Sequence, residues 1–439
     1  MEVTVEKSGT FDRQVIVRIP GTEVTSLLDV EFGRLSHSVR LPGFRAGKIP
    51  RKVLEGRFGP EVKAGVAEQL FKNTYLKALE KDALLPVDMP HVQLGTIKRG
   101  EDFVYTASIQ IFPKVEPKDY RQIALQRPQV DIADADVEDV LTRLQQSLAT
   151  YHAEPGRQAV DGDQVLLDFD GSVDDQAFEH GHAKGFQLLL GSGQFIPGFE
   201  DQLQGSKPGE ERLVTVTFPT TYHHPGLAGK EARFRCTIHE VRRPELPPLD
   251  DDLASKAGVK EGGVPQLRQN IHKQLAESSQ ELIEQMVRRQ VLDALWQSNR
   301  MELPSQLVDR ELEGLVQRAK TGRSAEEDAA IEAKIRSDHR EEAEKRVTLG
   351  LLMGTIARIE TIEADEASIS AYLDKMVLQF GEHAAQMRKY FEENKERRSE
   401  IVSTVLEHKV LDWLVAQGKI TEEKCTLKEL KERQKAIAI

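Results

Sequence analysis

The placing of glycine and proline along the chain divides it into segments that must fold in different ways. Between residues 151 and 245 these two residues recur every few positions, as in Pro197-Gly198 and Pro208-Gly209, which is typical of short strands joined by tight turns. After Pro248 they become sparse, and apolar residues recur at intervals of three and four, which indicates helices. The sequence therefore predicts an α+β multidomain protein.

Composition limits the number of cores and the class of protein. With 439 residues, of which 39% are hydrophobic and 30% charged, the chain is long enough for about two to four domains, each with a small core. The cysteines Cys236 and Cys425 lie far apart, which indicates neither a disulfide framework nor a cysteine zinc site and fits a reducing cytoplasm. No export signal or bilayer-spanning apolar run occurs, so we expect a cytoplasmic protein without a membrane segment.

Residues 1–112 begin and end with the period-two alternation of strands. Val15, Val17 and Ile19 alternate with more polar neighbours, which predicts an antiparallel pair that turns near Ser8-Gly9. Two strands should close the unit, and alternation is clearest from Phe103 to Ile111. We expect a small α+β domain here.

A period near 3.6 indicates helices between these strands. The apolar positions of Leu28–Val39 mark one helix that should end before Pro42. Pro50 is expected to start a short helix that stops at Gly59, and a longer helix should follow Pro60. The turn between the first two helices then projects from the helical side of the domain.

That turn, Gly43–Pro50, is called the basic tip below. From Arg34 to Lys63 there are eight Lys or Arg and two acids, whereas the whole chain has a net charge of −12. A concentrated positive patch on an acidic protein indicates a polyanionic partner, into which an exposed Phe44 beside Arg45 could insert. The alternative is a solvated basic loop with Phe44 folded back onto its helices.

Residues 113–149 have the composition of a connector. Three prolines, the last being Pro128, precede a stretch from Asp134 to Leu148 whose apolar residues are in helical register. A single amphipathic helix needs a partner surface, but composition would equally allow a flexible spacer.

Residues 150–245 read as a compact β domain. The clearest predicted strands are Asp163–Phe169, Leu213–Phe218 and Phe234–Val241. The run from Gly191 to Gly205, with Ile196-Pro-Gly-Phe199-Glu200 at its centre, closely resembles the motif of FKBP-type prolyl isomerases. This resemblance implies an antiparallel β domain with peptidyl-prolyl cis/trans isomerase activity.

The resemblance also implies a peptide pocket, carried over position by position. The residues that match the family's pocket are Phe169, Phe178, Glu179, Phe186, Ile196, Phe199, Tyr222 and Phe234. Two of them depart from the single-domain relatives, which have an aspartate in place of Glu179 and commonly a tyrosine in place of Phe169. Any one of these aromatic rings could instead be ordinary core, but the set together favours a pocket.

Prolyl isomerisation suits a pocket of this kind. Rotation of an X-Pro bond must overcome about 18–20 kcal/mol of amide resonance, and it requires no nucleophile or acid–base pair. An apolar cleft favours the twisted amide, whose carbonyl is less polarised than that of the planar form. No other catalytic motif and no ligand set for a metal is apparent, so we expect neither a metal nor a cofactor.

Residues 246–439 read as an all-α domain. Long helices are predicted over Leu267–Trp296 and from Pro304 onwards, with further ones over Val347–Ile359, Ile369–Phe380 and Ile401–Leu414. Such apolar stripes are usually bundle core, although methionines along these helices, among them Met286, Met301, Met353, Met376 and Met387, could leave adaptable surface for unfolded chains. The last residues, Lys428–Ile439, are expected to be a frayed tail.

The pattern Gly-Phe-Arg-x-Gly-x-x-Pro of the basic tip resembles the ribosome-docking signature of bacterial trigger factors. The order of segments up to about residue 430 fits the same family. The resemblance implies docking near the exit tunnel of the large ribosomal subunit, to ribosomal protein and possible rRNA contacts, through Gly43, Phe44, Arg45, Gly47, Lys48 and Pro50. Ala46 stands where the family often has a second basic residue, which implies somewhat weaker docking.

The same resemblance implies four segments and a set of partners. The segments are a ribosome-binding domain over 1–112, a linker over 113–149 that runs along the helical domain, an isomerase domain over 150–245 and a helical client-binding domain over 246–439. Nascent and unfolded polypeptides are the expected clients, and the free protein is a candidate homodimer. Two alternatives stay open: an FKBP-type enzyme whose helices only dimerise, and a ribosome- or RNA-binding factor whose FKBP-like domain is a scaffold.

Overall fold

The structure, a computed structural model, describes residues 1–45, 47–173, 176–219, 222, 226–320 and 325–438. The chain forms two compact units. The first unit consists of residues 1–126 and 285–421, and the second of residues 127–284 and 422–439.

A four-stranded antiparallel sheet opens the first unit. Its strands, in the spatial order β1-β2-β4-β3, are β1 (Glu2–Lys7), β2 (Asp12–Ile19), β3 (His91–Leu94) and β4 (Phe103–Gln110). The predicted alternation is confirmed, since Val15, Val17 and Ile19 are fully buried and lie opposite buried residues of β4. One face of the sheet thus provides half of a hydrophobic core.

Two helices cover that face of the sheet, α1 (Gly21–Ser38) and α2 (Arg51–Lys81). The predicted break at Gly59 and Pro60 is wrong, because α2 continues through Pro60. The residue before a proline normally avoids the helical region because its Cβ meets the proline ring, and Gly59 has no Cβ. A single helix therefore replaces the two that the sequence predicts.

The remainder of the first unit is helical. Helix α6 (Gly263–Ser298) begins in the second unit and ends in the first, and the helices that follow it are α7 (Ser305–Ala319), α8 (Ala325–Asp338), α9 (Arg340–Ile359), α10 (Glu366–Val377), α11 (Ala384–Glu393) and α12 (Lys395–Gln417). The predicted helices correspond to α6, α7, α9, α10 and α12. Helix α8 is not predicted because alanine and charged residues dominate it and leave a weak apolar stripe, and helix α11 is not predicted because it is only 10 residues long.

A five-stranded antiparallel sheet dominates the second unit. Its strands are β6 (Thr150–Ala153), β7 (Gln164–Val173), β8 (Gln176–Leu189), β9 (Glu211–Thr217) and β10 (Glu231–Glu245). The order is β6-β10-β7-β8, and β9 pairs with β10. The short helix α4 (Phe199–Leu203) packs on this sheet, and Phe199 and Leu203 are buried in its core. The predicted antiparallel β domain is confirmed, although β8 was not foreseen.

The rest of the second unit is built around the helix α3 (Asp134–Ser147), which lies where the sequence predicts one. Its buried residues Val137 and Leu141 pack with residues of α5 (Asp251–Lys256) and of the first half of α6. Arg268 of α6 also forms an ion pair with Glu138 of α3. This helix therefore has its partner surface within the same unit.

The C-terminal residues correct one prediction. Strand β11 (Lys419–Cys425) pairs with the unpredicted strand β5 (Ala124–Val130), and the helix α13 (Leu427–Ala438) follows it. Leu430 is fully buried and Leu427 nearly so, so Lys428 and its neighbours are not a frayed tail. Within the described residues, no helix combines the length and apolarity needed to cross a membrane.

Candidate functional site

A cleft of about 310 Å³ opens on the β domain of the second unit. It is called the aromatic cleft below. Its walls come from β7, β8 and β10, from the segment before α4 and from the segment after β9. The residues that line it are Phe169, Phe178, Gln194, Phe195, Ile196, Pro197, Phe218, Pro219, Tyr222 and Phe234. None of these described lining residues carries a charge.

Phe169 is the central ring of the cleft. Its ring centroid lies 5.7 Å from that of Phe186, 5.8 Å from Phe195, 6.4 Å from Phe199 and 6.0 Å from Phe234. All four pairs meet edge to face, a geometry that contributes about 0.5–1.5 kcal/mol per pair beyond area burial. The wall is therefore held by ring packing.

The structure brings most of the sequence-predicted pocket residues together. Five of them line the cleft: Phe169, Phe178, Ile196, Tyr222 and Phe234. Phe199 is 0% exposed and lies behind the lining, with its ring 4.7 Å from Phe195 and 5.2 Å from Phe234. Phe186 is 37% exposed and contacts Phe169 at the rim. Glu179 belongs to β8, but its side chain lies outside the described part of the structure.

Five lining residues are absent from the sequence prediction: Gln194, Phe195, Pro197, Phe218 and Pro219. Phe195 directly precedes the predicted Ile196, so its place in the motif was an available signal. Phe218 ends a predicted strand, and Pro219, which follows it, stops the ladder there. The ring of Phe218 packs 4.6 Å from Tyr222 and 5.9 Å from Phe178, which joins this end to the rest of the wall.

The segment before α4 is fixed by a buried carboxylate. Gly198 has a φ of +84°, which turns the chain into the helix, and Glu200 follows in the first turn. Its oxygens accept hydrogen bonds from the N–H groups of Gly193 at 3.1 Å and Phe195 at 3.2 Å, and from the Ser192 hydroxyl at 3.2 Å. Glu200 thereby holds Phe195 at the cleft.

Burial alone would raise the pKa of Glu200, since it disfavours the charged form. The N–H donors of Gly193 and Phe195 and the Ser192 hydroxyl outweigh burial and hold the pKa below its ordinary value. Because the folded-state pKa lies below the ordinary value of 4.5, this stabilisation is complete above about pH 4.5 and is lost as the pH falls further.

The basic tip joins α1 to α2 in the first unit. Leu41, just before the tip, and Ile49, near its end, are buried in the core, whereas Phe44, which is 41% exposed, lies at the surface with the exposed Arg45 and Lys48. The alternative in which Phe44 folds back onto the helices is therefore not the observed arrangement. Ala46 lies outside the described residues.

Glycine is required at two positions of the basic tip. Gly43 and Gly47 have φ values of +87° and +78°, and a Cβ on Gly47 would lie 2.8 Å from the imidazole of His37. The N–H of Gly47 donates to the Ser36 carbonyl at 2.8 Å, and that of Lys48 donates to the Arg45 carbonyl at 2.9 Å. The tip is thus a defined turn with Pro50 as the N-cap of α2.

The positive charges of the basic tip differ in availability. Arg51 is engaged by Asp29 and Glu55, and its guanidinium lies 5.1 Å from the centre of the Phe32 ring. No acid within the described residues forms an ion pair with Arg45 or Lys48. Arg45 and Lys48 are therefore available to a partner.

The basic tip and the aromatic cleft both lie in segments that match models of known protein families. The model of "Bacterial trigger factor protein (TF)" matches residues 1–144, that of its C-terminus residues 263–416, and that of "FKBP-type peptidyl-prolyl cis-trans isomerase" residues 156–239. The trigger factor of Magnetococcus marinus is 44% identical over 437 residues, which cover 98% of this chain and 99% of that protein. The chain belongs to the trigger factor family.

Other similar proteins are also trigger factors. The trigger factor of Halorhodospira halophila is 35% identical over 98% of each chain. A solved structure described as "Promiscuous Substrate Recognition in Folding and Assembly Activities of the Trigger Factor Chaperone" matches 95% of this chain and 99% of its own with a TM-score of 0.54. At 19% identity, that likeness supports the trigger factor fold alone.

Membership of the trigger factor family confirms the resemblance seen in the basic tip and in the Gly191–Gly205 run. The chain is a ribosome-associated chaperone, and its FKBP-type segment is a peptidyl-prolyl cis/trans isomerase. An FKBP-type enzyme without chaperone function and an RNA-binding factor with an inactive scaffold are therefore set aside.

We predict that Glu200→Gln loosens the segment before α4. The amide has one acceptor oxygen and presents an NH₂ to the other donors, so the second unit should lose about 1–3 kcal/mol of unfolding free energy at neutral pH. Urea unfolding of the full chain measures this loss, with Asp201→Asn, an exposed neighbour, as the control. The difference in unfolding free energy between Glu200→Gln and the parent should become smaller below about pH 4.5. Equal stability of variant and parent at neutral pH would contradict the assignment.

Proposed function

We propose that the aromatic cleft is the site where an X-Pro peptide binds and its amide bond rotates. The observation that carries this proposal is a ring-walled cleft of about 310 Å³ without a charged lining residue among those described. A lining made mostly of aromatic rings solvates the planar amide less well than water does, whereas the twisted amide, with its less polarised carbonyl, needs solvation less. The cleft thereby lowers a barrier of about 18–20 kcal/mol without proton transfer.

The proposed site residues have different roles. Phe169, Phe178, Ile196, Tyr222 and Phe234 contact the peptide, which the cleft lining supports. Phe186 forms the rim, and Phe199 supports the lining rings from behind. Glu179 completes the site by the family match alone.

We further propose that the basic tip is the contact with the large ribosomal subunit near the exit tunnel. Arg45 and Lys48 pair with carboxylates of a ribosomal protein and with rRNA phosphates, while Phe44 inserts into an apolar pocket of the partner. Their exposure and the absence of an acid partner for either cation within the described residues support this role. Gly43, Gly47 and Pro50 set the shape of the turn.

The helical part of the first unit is proposed to hold unfolded clients. Met286 and Met353 are buried, so they cannot provide the adaptable surface that the methionine positions suggest. Leu378, Tyr390 and Ile359 are exposed instead, Leu378 to 74%. Apolar side chains of this kind bury client surface without reading its sequence.

We also propose the four segments 1–112, 113–149, 150–245 and 246–439 as functional divisions. The spans of the family models, 1–144, 156–239 and 263–416, support them in outline. From the family, we also propose that the protein is cytoplasmic and that the free protein forms a homodimer. Sedimentation of the free protein over a range of concentrations tests the dimer.

We predict that Tyr222→Ala lowers kcat/KM for isomerisation of a proline-containing peptide by about tenfold. The loss of a ring that packs 4.6 Å from Phe218 opens one end of the cleft to water. Exchange NMR of the peptide with the full chain measures the rate. Tyr151→Ala, which changes another half-buried tyrosine of the second unit, is the matched control and should leave the rate unchanged. An unchanged rate in folded Tyr222→Ala would remove the cleft from consideration.

We predict that Arg45→Glu with Lys48→Glu weakens ribosome binding by about tenfold or more, since each charge-assisted hydrogen bond contributes about 1.5–3 kcal/mol. Both side chains are exposed, so the fold should be unaffected. Co-sedimentation with ribosomes at low salt is the measurement. Lys77→Glu with Lys81→Glu makes the same change in charge at the other end of α2 and should bind normally. Equal binding by both double variants would refute docking through the tip.

A further inference from the structure

Strand β8 carries a bulge beside the aromatic cleft. Leu167 of β7 pairs with Phe186, whereas Phe169 pairs with Ala183, so two residues of β8, Lys184 and Gly185, stand opposite the single residue between them on β7. Directly opposed residues of an antiparallel pair point to the same face of the sheet. The bulge therefore places Phe186 and Ala183, three positions apart, on the same face of the sheet as Phe169.

The residue of β7 opposite this bulge is Asp168, which lies on the outer face of the sheet. Its Oδ1 accepts a hydrogen bond of 2.7 Å from the N–H of Gly185, the residue directly before Phe186. A bulge leaves such an N–H without a ladder partner, and the Asp168 side chain satisfies it. Gly185 has a φ of +63°, a conformation that costs glycine little.

The other oxygen of Asp168 reaches the opposite neighbouring strand. Oδ2 lies 3.0 Å from Nε2 of His239, which is the extra residue at a second irregularity, between Ile238 and Glu240 of β10. One carboxylate thus links a bulge on β8 to a bulge on β10 across β7. The Gly185 N–H, and after it His239, hold the pKa of Asp168 below its ordinary value.

We propose that Asp168 is a positioning residue of the isomerase, which holds Phe186 in place at the rim of the cleft through the N–H of Gly185. Phe186 in turn packs its ring 5.7 Å from Phe169 and 5.4 Å from Phe195. This role rests on the proposed function of the aromatic cleft as the peptide site. Because Phe186 lies at the rim of that cleft, loss of Asp168 should weaken peptide binding and leave the rotation step nearly unchanged.

Four variants of the full chain test this role. Asp168→Ala removes the acceptor, and Asp168→Asn keeps an Oδ1 for Gly185. Asp170→Ala removes an exposed acid from the same face of the same strand, without a partner among the described residues, and is the matched control. Phe186→Ala tests the rim itself. The readouts are kcat and KM for a proline-containing peptide, and hydrogen exchange of the segment around Gly185.

Asp168→Ala should raise KM by about threefold to tenfold, which is the range expected for one hydrogen bond, while kcat stays within about twofold. The Gly185 amide should exchange faster in this variant. Asp168→Asn should recover most of the wild-type KM, and Asp170→Ala should match the wild type.

Three results would overturn the proposal, and they are distinguishable. If Phe186→Ala raises KM but Asp168→Ala does not, the bulge keeps its shape without the carboxylate. If Phe186→Ala leaves KM unchanged, the rim is not part of the peptide site, and the role proposed for Phe186 in the cleft is wrong. Equal losses in Asp168→Ala and Asp168→Asn would also overturn the proposal, because charge rather than the Gly185 hydrogen bond would then be responsible.

Discussion

Edge-to-face packing of Phe169 against its neighbouring phenylalanine rings is the interaction on which the aromatic cleft depends. Rings packed in this way have few alternative rotamers, so the cleft keeps its shape without charged groups among its described lining residues. Two carboxylates lie outside the lining, where Glu200 holds the segment that carries Phe195 and Asp168 caps the bulge before Phe186. The carboxylates outside the cleft thus hold in place the segments that form its uncharged wall.

The two proposed functional surfaces would bind their partners through different interactions. The basic tip concentrates unpaired positive charge on a chain with a net charge of −12, so its binding should weaken with salt. The aromatic cleft has no charged lining residue among those described, so salt should affect it little. Arg51, the residue after the tip, is not available in the same way, because Asp29 and Glu55 pair with its guanidinium while Arg45 and Lys48 stay exposed.

Much of the fold could be predicted where large apolar residues recur over several turns, as in α3 and α6. Prediction failed where a local exception decides the structure. Gly59 permits Pro60 inside α2, and Leu427 and Leu430 are buried in the otherwise highly charged helix α13. In the cleft, motif spacing identifies Ile196 and Phe199. The bulge that positions Phe186 depends on pairing between strands, which the sequence does not show. From the sequence alone, a polar strand residue such as Asp168 is predicted only to face outward.

The central claim is that the uncharged cleft isomerises prolyl bonds without proton transfer. Its most direct test is the pH dependence of kcat/KM for the full chain, with a proline peptide that has no titratable group, from about pH 6 to about pH 9. The claim predicts a profile that is flat within about twofold, because no acid or base takes part in rotation. A change of about tenfold per pH unit over part of this range, in protein that stays folded, would contradict it.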